Sequence, residues 1–308
     1  MSVTVETVRG PVPVSELGRI LPHEHVVCDL SQRPNGNVDV FSLDDPEEAV
    51  RDLVSFKGVG GGAVVECTSG GLGRDPGVLR WVSEQADVHV VMGCGWYREP
   101  FYEQDMNRVS VGELTECLLE DIKTGVDGVR PGVIGEIGAD REWVSGVEER
   151  VLRASARAQK ETGLGLVLHA VKSEVGAWML DVLEDEGVDL RRVAVGHCDT
   201  YPKVDYHESL ARRGAMVMYD GNKPMDALLQ RRRLNNAVEL IRRGWGSSLL
   251  LSHDVCVPFH RERRGGPGYT YVFGQVGPDL VDAGVHPDVV ETIFTENPLQ
   301  ILTGRRDY

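Results

Sequence analysis

Apolar residues along this chain come in short unbroken runs rather than as single alternating positions. The runs Ala63–Thr68, Val88–Gly93, Gly132–Ile137, Leu164–His169, Val193–His197, Ala215–Tyr219 and Ser248–Asp254 are rich in β-branched residues. Parallel strands buried on both faces look like this. An earlier run, Leu21–Val27, is similar and carries His23-Glu24-His25. Stretches with helical spacing separate the runs, at 45–57, 75–86, 111–125, 147–162, 174–186, 206–213 and 225–243, and a last helical region spans 278–303. Eight strand–helix units predict an α/β fold of the closed (β/α)8 TIM barrel type over an open doubly wound sheet. No G-x-G-x-x-G opens the first unit, which lowers the open-sheet alternative further. Residues 3–8 and 12–17 flank Arg9-Gly10-Pro11 and predict a short N-terminal β-hairpin. Residues 33–39 read as a loop. No linker or composition break interrupts the pattern, so 1–308 is expected to be a single domain. The longest irregular stretch is Val255–Gly277, and a loop of that length in a compact domain is usually functional.

Side chains on a strand alternate between faces, so His23 and His25 point one way and Glu24 the other. Glu136 lies late in the fourth strand, His169 ends the fifth, His197 the sixth and Asp254 the eighth. One strand–helix unit separates Glu136 from His169 and His169 from His197, and two separate His197 from Asp254. In a closed parallel barrel these carboxyl ends converge on one face, where active sites sit. Four imidazoles and two carboxylates suit two divalent metal ions, zinc by default, with manganese, iron or cobalt fitting nearly as well. Glu136 could bridge them, and two such ions ~3.5–4 Å apart can share a hydroxide whose pKa is drawn toward neutrality.

Composition narrows the partners. The 33 Lys and Arg against 48 Asp and Glu leave a net charge of −15 and a pI near 5.1. That balance argues against nucleic acid and anionic membranes and leaves a small-molecule substrate. No window approaches the ~20 apolar residues of a membrane helix. The first 18 residues lack a basic segment followed by an apolar core, so no signal peptide is expected. Cys28, Cys67, Cys94, Cys117, Cys198 and Cys256 form no C-x-x-C pair, which suits reduced thiols in a cytoplasmic enzyme. Cys67, Cys94 and Cys198 lie near strand ends but have no evident base, so structural burial is the better expectation for them.

The motifs Gly18-Arg19-Ile20-Leu21-Pro22-His23-Glu24-His25, Gly132-Val133-Ile134-Gly135-Glu136-Ile137-Gly138, Val195-Gly196-His197-Cys198-Asp199, Ser252-His253-Asp254, Gly265-Gly266-Pro267-Gly268-Tyr269 and Glu296-Asn297-Pro298 together carry a resemblance. The chain resembles the phosphotriesterase family of the amidohydrolase superfamily over nearly its whole length. The resemblance implies that His23, His25 and Asp254 hold one metal and that His169 and His197 hold the other. A fourth-strand residue would bridge them. Phosphotriesterases proper and their lactonase relatives use a carboxylated lysine there, whereas this chain has Glu136. It is similar in this to phosphotriesterase-related proteins whose natural substrates are not organophosphates.

The expected reaction is hydrolysis of a carboxylic ester, lactone or amide by the bridging hydroxide, with Asp254 moving the proton to the leaving group. Two alternatives stand beside it. One is phosphotriester or phosphodiester cleavage at the same centre, and the other is a metal-bound barrel that only binds its ligand. After the third strand come Trp96, Tyr97 and Arg98, where a phenol could donate to a substrate oxygen, as a tyrosine does in the lactonase relatives. His260, Arg261, Arg263 and Arg264 cluster in the long loop and predict an anionic group on the substrate. Asp199 and His253 are candidate partners for the metal-bound groups, although alternation faces His253 toward the helices. A homodimer is implied by the resemblance alone.

Overall fold

A computed structural model describes residues 3–31, 41–102 and 105–304. The expected loop at 33–39 lies outside the described residues. The hairpin is present: β1 (Thr4–Thr7) pairs antiparallel with β2 (Gly10–Pro13). Its second arm is shorter than predicted because Val14–Glu16 coils into a turn of 3-10 helix.

Eight parallel strands follow in one sheet: β3 (Arg19–Glu24), β6 (Gly61–Glu66), β7 (His89–Cys94), β8 (Val133–Gly138), β9 (Gly165–His169), β10 (Val193–Gly196), β11 (Met216–Tyr219) and β12 (Leu249–Leu251). A small antiparallel pair, β4 (Cys28–Asp29) and β5 (Ser42–Leu43), follows the first barrel strand. Helices α1 (Pro46–Gly58), α2 (Pro76–Ala86), α3 (Val111–Thr124), α4 (Gly146–Thr162), α5 (Val175–Asp185), α6 (Val204–Arg212) and α7 (Ala227–Leu240) fill the crossovers. Sequence starts them crisply. Asp45 and Asp75 cap α1 and α2, each just before a Pro, and Ser110–Glu113 and Ser145–Glu148 form reciprocal caps on α3 and α4. The region expected to be helical at 278–303 divides into α8 (Gly277–Asp282), α9 (Pro287–Phe294) and α10 (Glu296–Thr303). Gly284, at a left-handed φ of 93°, separates the first two. No helix among the described residues is long and apolar enough to cross a membrane.

The strands are buried on both faces, as their unbroken apolar runs require. Ile20, Ala63, Val65, Val91, Val133, Val167, Ala194, Met216, Met218 and Leu250 fill the barrel interior. Their neighbours Leu21, Val64, Val90, Ile134, Leu166, Val195, Val217 and Leu251 pack outward against the helices. Strict alternation from this core would aim His23 and Glu136 outward, beside Leu21 and Ile134. The ladder slips between Leu21 and Glu24 in β3 and between Ile134 and Ile137 in β8. Such irregularities re-aim side chains near active sites, and here they turn His23 and Glu136 inward.

Closure differs from the other seams. Ladder pairing of the last expected strand stops at Leu251, three residues before Asp254. Beyond it, side chains join the first and last strands: the Ser252 hydroxyl accepts from the His23 N–H at 3.1 Å and donates to Glu24 Oε1 at 2.8 Å. The Asp254 N–H then reaches the His23 carbonyl at 3.3 Å. The barrel is therefore sealed at the same end where its histidines meet.

The barrel floor is equally tight. A Cβ on Gly165 would lie 2.3 Å from the backbone oxygen of Ile301, in α10, which cannot move aside cheaply. Gly165→Ala should therefore cost about 1–3 kcal/mol of stability in denaturant titrations. Gly146→Ala, where a Cβ meets nothing within 4 Å, should leave stability unchanged or slightly raised.

Candidate metal centre

The six expected side chains His23, His25, Glu136, His169, His197 and Asp254 meet at the carboxyl end of the barrel. Glu136 Oε2 lies 3.0 Å from His23 Nε2, 2.9 Å from His197 Nε2 and 3.1 Å from His169 Nδ1. His197 Nε2 and His169 Nδ1 are 2.8 Å apart. Asp254 Oδ1 stands 3.4 Å from His25 Nε2 and is 21% exposed, whereas Glu136 is 2% exposed, so Asp254 faces the opening.

The hydrogen bonds behind these rings decide which nitrogens are bare. His197 Nδ1 donates to Asp220 Oδ1 at 2.8 Å, which leaves Nε2 with a lone pair aimed at Glu136 and His169. His25 Nδ1 donates to the Thr68 hydroxyl at 2.8 Å, whose own proton goes to the Val27 carbonyl at 2.7 Å. His25 Nε2 is thereby bare and inward. Asp220 Oδ2 also sits 2.9 Å from His23 Nδ1. The two His23 nitrogens touch carboxylate oxygens at angles that make no hydrogen bond, so a fully buried imidazole is left without a partner. Glu136 Oε2, His169 Nδ1 and His197 Nε2 thus converge within about 3.1 Å of one another, a cluster that must share protons or a cation between them.

The electrostatics say the same. Burial penalises charge on Glu136, but His169 and His23 beside it hold its carboxyl well below the usual range. Asp220 is likewise held down by His197, then His23, against burial. In return, and again against burial, Glu136 and Asp220 raise His23 to about 10, and Asp220 foremost raises His197 well above the ordinary histidine value. Three buried or nearly buried carboxylates therefore demand positive charge here, from protons or from metal ions. The donor set fits metal better. His23, His25 and Glu136 form one ligand group and Glu136, His169 and His197 a second, each with its ligand atoms within 4.8 Å of one another. Glu136 is common to both. Imidazole and carboxylate are ligands that zinc and its neighbours accept.

Residues 3–302 match the model of the phosphotriesterase family. The chain belongs to that family. N-acetyltaurine hydrolase of Rattus norvegicus is 31% identical over 347 aligned positions, 98% of this chain and 99% of that protein. Among solved structures, the Escherichia coli phosphotriesterase homology protein, complexed with phosphate in its active site, superposes with a TM-score of 0.88 at 30% identity. That match covers 93% of this chain and 99% of the other. A resiniferatoxin-binding protein from Rhodobacter sphaeroides gives 0.89 at 30%, covering 99% and 96%. This member of the phosphotriesterase family is a hydrolase.

The remaining expected site residues divide. Tyr97 is buried with its hydroxyl 3.3 Å from His169 Nδ1, and burial, reinforced by Glu136, raises its pKa so that it stays a neutral donor. Arg98 stacks over the Tyr97 and Phe101 rings and pairs with Asp140 at 2.5 Å. Trp96 packs beside Gly70 at the rim of the core. Arg261 is a correction. It is 2% exposed, donating to the Val26 carbonyl at 2.6 Å and the Tyr269 hydroxyl at 2.6 Å, with Asp52 at 3.5 Å, so its charge is used inside the fold. Tyr269 in turn donates to the His25 carbonyl at 2.8 Å, so the pair braces the loop that carries His25. Arg263 and Arg264 lean outward toward Glu48 at 3.8 and 3.7 Å. His260 is buried, accepts from the Cys256 N–H at 3.3 Å, and is pushed by burial down to about 3. Asp199 is a second correction. Arg233 holds its Oδ2, and the carboxylate behind His23 and His197 is Asp220. Asp220 follows β11 at the same barrel end, and an acid directly after a wholly apolar strand was its signal. His253 faces away from the centre, as alternation favours: its Nδ1 donates to Glu24 at 2.8 Å and its Nε2 accepts from the Val272 N–H at 2.9 Å. Cys67, Cys94 and Cys198 are buried thiols with raised pKa values, burial being the main cause.

Two outcomes follow for the long loop. Arg261→Ala should lower stability by about 3–5 kcal/mol, because it strips a buried charge partner and two hydrogen bonds. Arg263→Ala and Arg264→Ala should stay within about 0.5 kcal/mol in the same denaturation assay. His260 binds a proton in the unfolded chain near the ordinary value of 6.5 but resists it when folded, down to about 3. Its contribution therefore weakens stability as pH falls below 6.5, and His260→Gln should show a shallower loss of Tm between pH 6.5 and 4 than the native protein.

Proposed function

We propose that this protein is a two-metal hydrolase of N-acyl amines, with N-acetyltaurine as the first compound to try. The observation that carries the reading is Glu136 Oε2, which lies within 3.1 Å of the ring nitrogens of His23, His169 and His197 and so offers one negative group to two ions. His23, His25, Glu136 and Asp254 would hold one ion, and His169, His197 and the same Glu136 the other. Zinc is the default, with manganese, iron and cobalt close behind. When bound, the pair supplies an activated hydroxide and polarises the scissile carbonyl.

The chain's own residues do the rest. Lys223, then a hydrogen bond from His25, keeps Asp254 ionised below the usual carboxylate range against its burial. As the more exposed of the two carboxylates among the six, it is placed to take a proton from the nucleophile and pass it to the departing nitrogen. Tyr97, kept neutral, can donate to the substrate's acyl oxygen beside His169. Asp220 and Thr68 orient the histidines behind the site. The amide reading, over ester or lactone, rests on the N-acetyltaurine hydrolases among the relatives. Phosphoester cleavage at the same centre is the competing reading.

Purified protein should release taurine from N-acetyltaurine, lose that activity to a chelator and regain it with zinc. Asp254→Asn should abolish turnover, and Asp220→Asn should lower it about 10- to 100-fold, the usual cost of losing a ligand's outer partner. Faster cleavage of a phosphate ester than of any amide, lactone or ester would reassign the reaction. Ligand binding without turnover would make this a binding protein.

A further inference from the structure

The backbone around Asp254 is held from two sides by side chains of opposite charge. Glu24, behind the barrel wall, accepts from the His253 N–H at 2.8 Å and the Val255 N–H at 3.0 Å. Lys223, in the loop after β11, donates from Nζ to the carbonyls of both His253 and Asp254, the latter at 2.8 Å. Asp254 itself sits at a left-handed φ of 55°. An ammonium has three protons. Two go to those carbonyls. No third hydrogen-bond acceptor is found for it among the described residues: the Asp254 carboxylate pairs with it only at 3.8 Å, through Oδ2, beyond hydrogen-bond reach. The Lys223 side chain is 14% exposed and stands beside the 21% exposed Asp254, so the two border the same opening.

We infer that Lys223 reads an anionic group on the amine portion of the substrate, and this rests on the amide reading above. A nitrogen that takes its proton from Asp254 must lie ~2.6–3.2 Å from that carboxylate. Lys223 therefore stands on the leaving-group flank, while Tyr97 stands against His169 on the acyl flank. An acid group two carbons beyond the nitrogen, a sulfonate or a carboxylate, extends from Asp254 to the ammonium. Three arginines near the site are committed elsewhere: Arg98 pairs with Asp140, Arg233 with Asp199, and Arg261 is used inside the fold. Lys223 thus takes the role that the long-loop arginines were expected to fill.

The test compares N-acetyltaurine with N-propylacetamide, which keeps the amide and replaces the sulfonate by a methyl group. Loss of a hydrogen bond to a charged group predicts that the ratio of kcat/KM, anionic over neutral, falls about 10- to 100-fold in Lys223→Met. Any loss through Asp254 falls on both amides alike and cancels in that ratio; the selective fall should lie in KM, and Lys223→Arg should recover most of it. Equal losses on both amides, carried by kcat, would overturn the inference and leave Lys223 as a clamp on the Asp254 turn. If the native protein cleaves neither amide, the hydrolase reading fails by itself, and calorimetric titration of the zinc-loaded protein with taurine decides on Lys223. Binding weakened at least about tenfold in Lys223→Met supports the assignment; no binding to the native protein, or an unchanged Kd, overturns it.

Discussion

Everything at the top of this barrel answers to one electrostatic problem. Lone pairs from imidazoles and a carboxylate are brought within about 3 Å of each other in a place that water scarcely reaches. Left alone they repel, and in a buried site that repulsion is poorly screened. Protons relieve part of it, which is why His23 and His197 are drawn toward the charged form although burial opposes it. Divalent cations relieve it more completely, since each accepts several lone pairs at once and the imidazoles can remain neutral.

The fold supports this concentration of donors by fixing them from behind. Asp220 stands behind two of the rings, Thr68 behind a third, and both are buried. The seam between first and last strands replaces a backbone ladder with Glu24, Ser252 and the His253 ring, so the closure of the barrel and the placement of Asp254 are one network. Asp254 and His197 both sit at left-handed backbone angles that non-glycine residues rarely adopt. Such positions persist only where the surroundings over-determine them, and around Asp254 the buried Glu24 and the partly exposed Lys223, of opposite charge, do so.

Much of this was legible in the chain because two signals are strong. Unbroken apolar runs separated by helical spacing identify a parallel barrel, and strand ends in such a barrel converge whatever the loops do. That is why His23, His25, Glu136, His169, His197 and Asp254 could be grouped before any coordinates, and why the resemblance to the phosphotriesterase family was secure. Finer aim was less legible. Periodicity alone points Glu136 outward beside Ile134, and only the slip in the β8 ladder turns it in. In the sequence Arg261 groups with Arg263 and Arg264 as a contact for an anionic substrate, whereas a tyrosine eight residues on and a strand-end carbonyl draw it inside. Lys223 and Asp220 were overlooked because the seventh strand carries no histidine, although its end enters the same mouth.

The most direct measurement is a calorimetric titration of metal-free protein with zinc, run on the native chain and on Glu136→Gln. A shared carboxylate predicts two zinc ions per native chain and weakened binding at both positions in the variant. One ion or none in the native chain, or two ions indifferent to Glu136→Gln, would contradict the shared-carboxylate centre on which this account rests.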